Sequence, residues 1–391
     1  MDKMNACLYQ DIVIRLLSRM DKGQLELLLP NGRRLTIGND PSPIQARLRI
    51  RDAAFFKRCI LYGDIGFGEA YMDGLWDTED ITAVVSWFLL NVDQTPGLSG
   101  SRSRSILVNL LQCWNRLRHS QCANTLPGSR RIIAQHYDLN NDFFRLFLDP
   151  TMTYSGAYFR RDGMDLEEAQ EAKYERLCEQ LRLRPDDHVL EIGSGWGGNA
   201  IYMAQNYGCR VTSLTISKQQ HELATRRVKA AGLEQQVTIL LEDYRNFKGR
   251  FDKIVSVEML ESVGHRYLKN YFRKCNGWLK QDGILALQVI TCPDSRYDSL
   301  LPSVKAINTA VNATGEMTLV DLKDLGLHYA ATLKIWFLQF NSRRSDVRAL
   351  GFDEHFIRKW NYYLCYCEAA FRMRNIHVMQ LVYTRPNNLT R

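Results

Sequence analysis

The chain has 391 residues, room for two or three domains, and with 45% apolar and 24% charged residues it has the composition of a folded protein rather than a disordered one. It contains no run of about eighteen apolar residues, which excludes a simple membrane-spanning segment, and its net charge of +8 suits a partner with phosphates, either nucleic acid or an anionic membrane surface. The ten cysteines form no C-x-x-C pair, so neither a disulfide framework nor a metal site is expected, and Met1-Asp2-Lys3-Met4 lacks a basic-then-apolar leader, so a cytoplasmic protein is expected.

Residues 1–95 read as a smaller, mainly helical N-terminal domain. Apolar spacing predicts a helix over 6–20, and two apolar runs at 25–29 and 34–37 flank Pro30-Asn31-Gly32, a β-hairpin signal. Helical segments follow at 52–62 and 68–71, and 80–90 reads as an amphipathic helix carrying Trp87 and Phe88. Residues 96–131 are basic and rich in breakers, with Arg102, Arg104, Arg130 and Arg131 among serines, glycines and proline. They read either as a solvated linker or as a surface that meets phosphates.

From 132 to 391 the chain reads as one domain in which strands and helices alternate. Strands are expected at 187–192, 210–214, 237–240, 252–257 and 284–290, with helices at 167–182, 197–206, 218–231 and 267–280. Such alternation implies an α/β, doubly wound parallel sheet with ligands at the carboxyl ends of its strands. After 292 the pattern is mostly helical, and a final strand at 376–384 is expected to close the sheet.

The first of those strands runs into Glu191-Ile192-Gly193-Ser194-Gly195-Trp196-Gly197, a turn whose alternate glycines let the backbone approach a ligand closely. For a nicotinamide dinucleotide the second strand should end in an acid that holds the ribose. Here it ends in Thr215-Ile216-Ser217-Lys218-Gln219-Gln220, with no acid. Alternate glycines behind a strand glutamate are more like methyltransferases that use S-adenosylmethionine (SAM). Glu242-Asp243-Tyr244, after the third strand, reads as a contact to the adenine side or as a helix cap.

Further blocks run in order along residues 52–383: Gly68-Glu69-Ala70-Tyr71-Met72-Asp73-Gly74, His136-Tyr137-Asp138, Asn141-Asp142-Phe143-Phe144, Met152-Thr153-Tyr154-Ser155, the glycine turn, Glu258-Met259-Leu260-Glu261-Ser262-Val263-Gly264, Tyr329, Trp336 and Cys367. On these the chain resembles the cyclopropane-fatty-acyl-phospholipid synthase and mycolic acid methyltransferase family. The resemblance implies a seven-stranded class I SAM-dependent methyltransferase domain that methylates the double bond of unsaturated fatty acyl chains of phospholipids, giving a cyclopropane or a methyl- or methylene-branched chain. It implies that SAM is held by Tyr154, Ser155, Glu191, Gly193, Gly195, Gly197, Thr215, Ile216, Gln220, Tyr244 and Arg245. Glu261 and Tyr329 match the positions beside the cationic intermediate, and Cys367 matches a cysteine often assigned to the site. His136 is expected to be structural.

The family binds a bicarbonate as base, and two of its positions differ here. Gly156 stands where the family has Cys, acting at most through its amide, as Ile290 would. Gln288 stands where the family has His, and an amide cannot carry the charge or shuttle the proton of an imidazole. Whether bicarbonate binds is therefore open at this point. The alternatives are a small-molecule N-methyltransferase of the same fold, whose amine substrate needs no base, and a SAM-binding subunit without turnover. Nucleic-acid methylation lacks its motif. The expected partner is unsaturated phospholipid at the inner membrane surface, the protein being peripheral there. One hypothesis turns Trp76, Trp87, Phe88 and the four linker arginines to the membrane, with a homodimer holding two N-terminal units in place; its rival packs those aromatics inside the small domain.

Overall fold

The computed structural model describes residues 2–39, 43–93, 141–297 and 301–389. The linker arginines and His136 lie outside the described residues. The chain divides into two units, one of residues 1–122 with 340–373, the other of 123–339 with 374–391. The boundary expected at 132 therefore misses a returning segment.

In the first unit, β1 (Gln24–Leu28) pairs antiparallel with β2 (Arg34–Ile37), Leu25 facing Ile37. This is the expected hairpin, with Gly32 at φ +83° in its turn. Two strands that were not expected extend it: β3 (Gln45–Ile50) runs parallel to β1, and β4 (Trp76–Asp77) pairs with β3. Along β3 exposed and buried residues alternate strictly, so Ala46, Leu48 and Ile50 face the core. Helices Asp2–Leu17, which covers most of the helix expected over 6–20, Ala54–Met72, Ile81–Leu90 and Glu354–Arg372 complete the unit.

The returning helix is held by specific bonds. Arg358 donates from Nε to the Tyr71 carbonyl at 2.6 Å and from Nη2 to that of Trp76 at 2.9 Å, and its guanidinium lies 4.0 Å from the centre of the Tyr71 ring. Thr82 Oγ1 donates to Glu368 at 2.9 Å. Trp76 and Trp87 are fully buried, and Trp76 Nε1 donates to the Phe67 carbonyl at 2.9 Å. Those two tryptophans thus pack the small unit and do not face a membrane, while Phe88 is half-buried.

The second unit is built on a seven-stranded sheet in the order β10-β11-β9-β8-β5-β6-β7. Its strands are β5 (His188–Ile192), β6 (Arg210–Thr215), β7 (Val237–Leu241), β8 (Phe251–Val257), β9 (Leu279–Thr291), β10 (Thr318–Asp324) and β11 (His377–Thr384). β5 to β9 run parallel, whereas β11 and β10 are antiparallel to their neighbours. The fold is thus the expected α/β one, corrected in one respect. β11 is an inner strand, and β10, read from sequence as helical territory, forms the edge. Its sequence Thr-Leu-Val-Asp-Leu-Lys-Asp carries charges, as suits an edge strand.

Alternation along the central strands sends side chains to two cores. Leu190 and Ile192 join a cluster with Phe272, Trp278 and Ile307, while Val189 and Val211 join Leu177, Ala200 and Met203. After β5 the chain moves outward through β6 and β7, then crosses to the other side of β5 as β8. The carboxyl ends of β5 and β8 therefore flank the point where strand order reverses, the place where open α/β sheets bind ligands.

Candidate active site

The glycine turn follows β5 directly. Gly193, Gly195 and Gly197 all have positive φ, at +100°, +50° and +87°, a conformation that excludes ordinary side chains. The amides of Gly193 and Ser194 donate to the Leu214 carbonyl at 3.0 and 2.9 Å, which pins the turn to β6. At Gly195 an added Cβ would meet nothing within 4 Å, so the turn faces open space there. Glu191 is buried, and its carboxylate accepts from Asn199 Nδ2 at 2.8 Å and from the Ser213 hydroxyl. It braces the turn. Burial lifts its carboxyl to about 7, against those donors.

The next two strands end in groups of similar order. Thr215 Oγ1 donates to Gln220 Oε1 at 2.8 Å, and Ser217 caps helix Lys218–Ala230 by accepting from the Gln220 amide at 3.3 Å. Ile216 lies half-buried between them. Beyond β7, Arg245 clasps Asp243 through Nε at 2.9 Å and Nη2 at 2.6 Å, while the Tyr244 hydroxyl is buried with no hydrogen-bond partner. Arg245 is thus committed to its neighbour, and Tyr244 keeps a polar atom for a ligand.

An aromatic wall stands beside the turn. The Tyr154 ring stacks on Trp336 at 5.1 Å and meets Phe144 edge-on at 5.3 Å, and Tyr329 meets Trp336 edge-on at 6.0 Å. Such faces attract a cation. Ser155 is buried, and its hydroxyl accepts from Lys173 Nζ at 2.7 Å. Lys173, itself fully buried on helix Leu166–Leu181, also donates to Gln170 at 2.6 Å, and desolvation pulls its ammonium down to about 8. The sequence reading missed it, although a lysine spaced among Leu166, Ala169, Tyr174 and Leu177 marks the apolar face of a helix.

At the carboxyl end of β8 two carboxylates come together. Glu258 Oε1 accepts from the Gly156 amide and from Gln288 Nε2, both at 2.9 Å, and Tyr329 hydrogen-bonds to the same carboxyl group. Gln288 also donates to the Gly156 carbonyl at 2.9 Å and accepts from Gln380 Nε2 at 2.9 Å. Glu261 Oε1 accepts from the Ile290 amide, while its Oε2 is buried without a partner. Burial and the neighbouring Glu258 push the Glu261 carboxyl up to about 8. Burial also raises Glu258, opposed by Gln288, Lys173, Gly156 and Tyr329. The segment touches the glycine turn, since a Cβ on Gly193 would lie 3.4 Å from that of Met259.

Glu261, Tyr329, Gln288, Gly156 and Ile290 are therefore gathered, and Glu258, not singled out from sequence, stands among them. Its signal was an acid one helical turn before Glu261 and directly behind a strand. Cys367 lies on helix Glu354–Arg372 in the other unit, and burial pushes its thiol up to about 12, so it is protonated at neutral pH and a poor nucleophile. Seven described cysteines, 59, 178, 209, 275, 292, 365 and 367, are free thiols. Among the described residues no helix is long and apolar enough to cross a membrane.

The sequence pattern of the family described as mycolic acid cyclopropane synthetase matches residues 127–381. Tuberculostearic acid methyltransferase of Mycobacterium tuberculosis strain H37Rv is 38% identical over 361 residues, covering 86% of this chain and 82% of that protein. The cyclopropane-fatty-acyl-phospholipid synthase of Escherichia coli strain K12 is 37% identical over 354 residues, covering 87% and 88%. The solved structure of the mycolic acid cyclopropane synthase CmaA1 complexed with SAH and CTAB superposes with a TM-score of 0.62 at 31% identity, over 66% of this chain and 98% of that one.

Proposed function

Because the chain belongs to the mycolic acid cyclopropane synthetase family, we propose that it methylates the double bond of unsaturated acyl chains carried by phospholipids, at the cytoplasmic face of the inner membrane. Family membership makes it a SAM-dependent methyltransferase that modifies unsaturated lipid chains. The acyl carrier, the surface and the roles of individual residues are the proposal.

The residues fit SAM: the turn is open at Gly195, and the Tyr244 hydroxyl is buried and unpartnered. The 193–197 backbone would cradle the molecule, Gln220 would meet ribose hydroxyls in place of the absent acid, Tyr244 would serve the adenine side, and Tyr154 and Ser155 would border the methyl. When bound, SAM supplies an electrophilic methyl on a positively charged sulfur. The alkene of the acyl chain is the nucleophile, and its second carbon becomes cationic. Tyr329 and Tyr154 would offer that cation their rings, backed by the buried Trp336, and the Glu258–Glu261 pair a shielded negative charge. Loss of a proton then yields a cyclopropane or a methyl- or methylene-branched chain.

The observation that carries this reading is the joining of an aromatic wall to buried carboxylates beside the glycine turn. The net charge of +8 supports attraction to an anionic surface, where a homodimer would hold two N-terminal units. Incubation with labelled SAM and vesicles of unsaturated phospholipid, followed by mass spectrometry of the acyl chains, is expected to show a one-carbon gain. If no chain gains a carbon, the lipid reading is wrong.

A further inference from the structure

We propose that Glu258 and Glu261 form an internal carboxylate pair that takes the place of a bound anion, with Glu258 as the base that receives the proton from the methylated acyl chain. The inference rests on the lipid reading above and deepens it.

The amides of Gly156 and Ile290, to which the family resemblance assigns a bicarbonate, are both already given to protein carboxylates. Gly156 donates to Glu258 Oε1 at 2.9 Å and Ile290 donates to Glu261 Oε1. A free anion would have to compete with two tethered carboxyl groups for the same donors, next to the one negative charge they share. Bicarbonate therefore does not fit.

The surrounding groups agree with this arrangement. Gln288, standing where the family has His, gives its Nε2 to Glu258 and to the Gly156 carbonyl, while Gln380 holds its Oε1. A neutral amide fixed at both ends orients a carboxylate without supplying or consuming a proton. The glycine at 156 has its own reason, because a Cβ there would come 2.9 Å from Tyr329 Cγ. The ring that donates to Glu258 could not stay where it is above a larger residue. Glu258 also has φ +48°, a left-handed conformation that a glutamate seldom adopts. Strain of this kind collects at functional sites, where the surroundings hold it in place.

The division of labour follows from the donors. Burial raises both carboxyls, but Glu258 is met by Gly156, Gln288 and Tyr329, which favour its ionised form, whereas Glu261 meets only the backbone amides of Ile290 and of its own residue, keeps a buried, unpartnered oxygen and holds the proton. The pair then carries one negative charge. When the cation collapses, a C–H bond of the transferred methyl breaks and its electron pair forms the second ring bond. The proton passes to the Glu258 carboxylate and leaves to solvent before the next turnover.

The test uses the full-length enzyme with SAM and unsaturated phospholipid vesicles, in buffer freed of carbon dioxide and with bicarbonate restored. Wild-type product formation is expected to be the same in both. Glu258→Gln is expected to lose about 10²-fold or more in product formation while binding S-adenosylhomocysteine like wild type by calorimetry. Glu258→Gly, which also relieves the left-handed backbone, is expected to be inactive without carbon dioxide and to recover on addition of bicarbonate or formate. A wild-type enzyme that needs bicarbonate overturns the proposal, and so does a Glu258→Gln enzyme with full activity. The bicarbonate comparison needs no variant, so a misfolded variant does not rescue the idea. If the wild type adds no carbon to any acyl chain, the functional reading itself falls, and the internal base with it.

Discussion

Glu261 shows how a single side chain couples the site to stability. Its carboxyl is pushed from the usual 4.5 to about 8 by burial and by Glu258. Between those values the folded chain holds a proton that the unfolded chain has released, so the contribution is full below 4.5 and is lost as pH rises through about 8. Glu261→Gln keeps the shape but does not titrate. Wild-type melting temperature should therefore fall more steeply from pH 6 to pH 9 than that of Glu261→Gln, by a difference of about 1 kcal/mol or more, roughly 2–4 °C. Parallel melting curves for the two proteins would refute this. Residue identity alone could nominate Glu261 and Tyr329 for the site. It could not show what Glu258 binds, because the Gly156 amide that Glu258 accepts from lies 102 positions away in the chain.

At the scale of elements, helix Lys218–Ala230 does more than follow β6. Its Arg227 donates from Nη1 to the Thr151 carbonyl at 2.7 Å and to that of Trp196 at 2.9 Å, tying the glycine turn to the loop that leads into Tyr154. Both walls of the proposed cofactor site thus depend on one guanidinium. Arg227→Met should lower stability by about 1.5–3 kcal/mol and weaken S-adenosylhomocysteine binding, whereas Lys229→Met on the exposed side of the same helix should do neither. Equal binding by the two variants, measured by calorimetry, would show the clamp to be irrelevant to the cofactor. The long periodic helices and the apolar strands β5, β6, β7 and β8 were legible because each carries its own hydrophobic pattern. β10 was not, since an edge strand with three charged residues in seven has little such pattern and owes its conformation to pairing with β11.

For the whole molecule, the net charge of +8 makes a salt-sensitive attraction to anionic membranes the expected behaviour. Sedimentation with anionic phospholipid vesicles should show binding at low ionic strength that weakens as salt rises, and the combined change of Arg102, Arg104, Arg130 and Arg131 to Glu should reduce it while leaving S-adenosylhomocysteine binding intact. Binding that ignores both salt and these charges would remove the electrostatic part of the membrane proposal. The amino-acid sequence by itself determined the sheet's central strands, the glycine turn, the family and the methyl donor, because these reside in short contiguous patterns. Only the tertiary structure decided that residues 340–373 return to the first unit, that Trp76 and Trp87 are core, and that Glu258 and Glu261 claim the Gly156 and Ile290 amides. Those outcomes depend on hydrogen bonds and packing between residues far apart along the chain, which exist only once the sheet has brought its strand ends together.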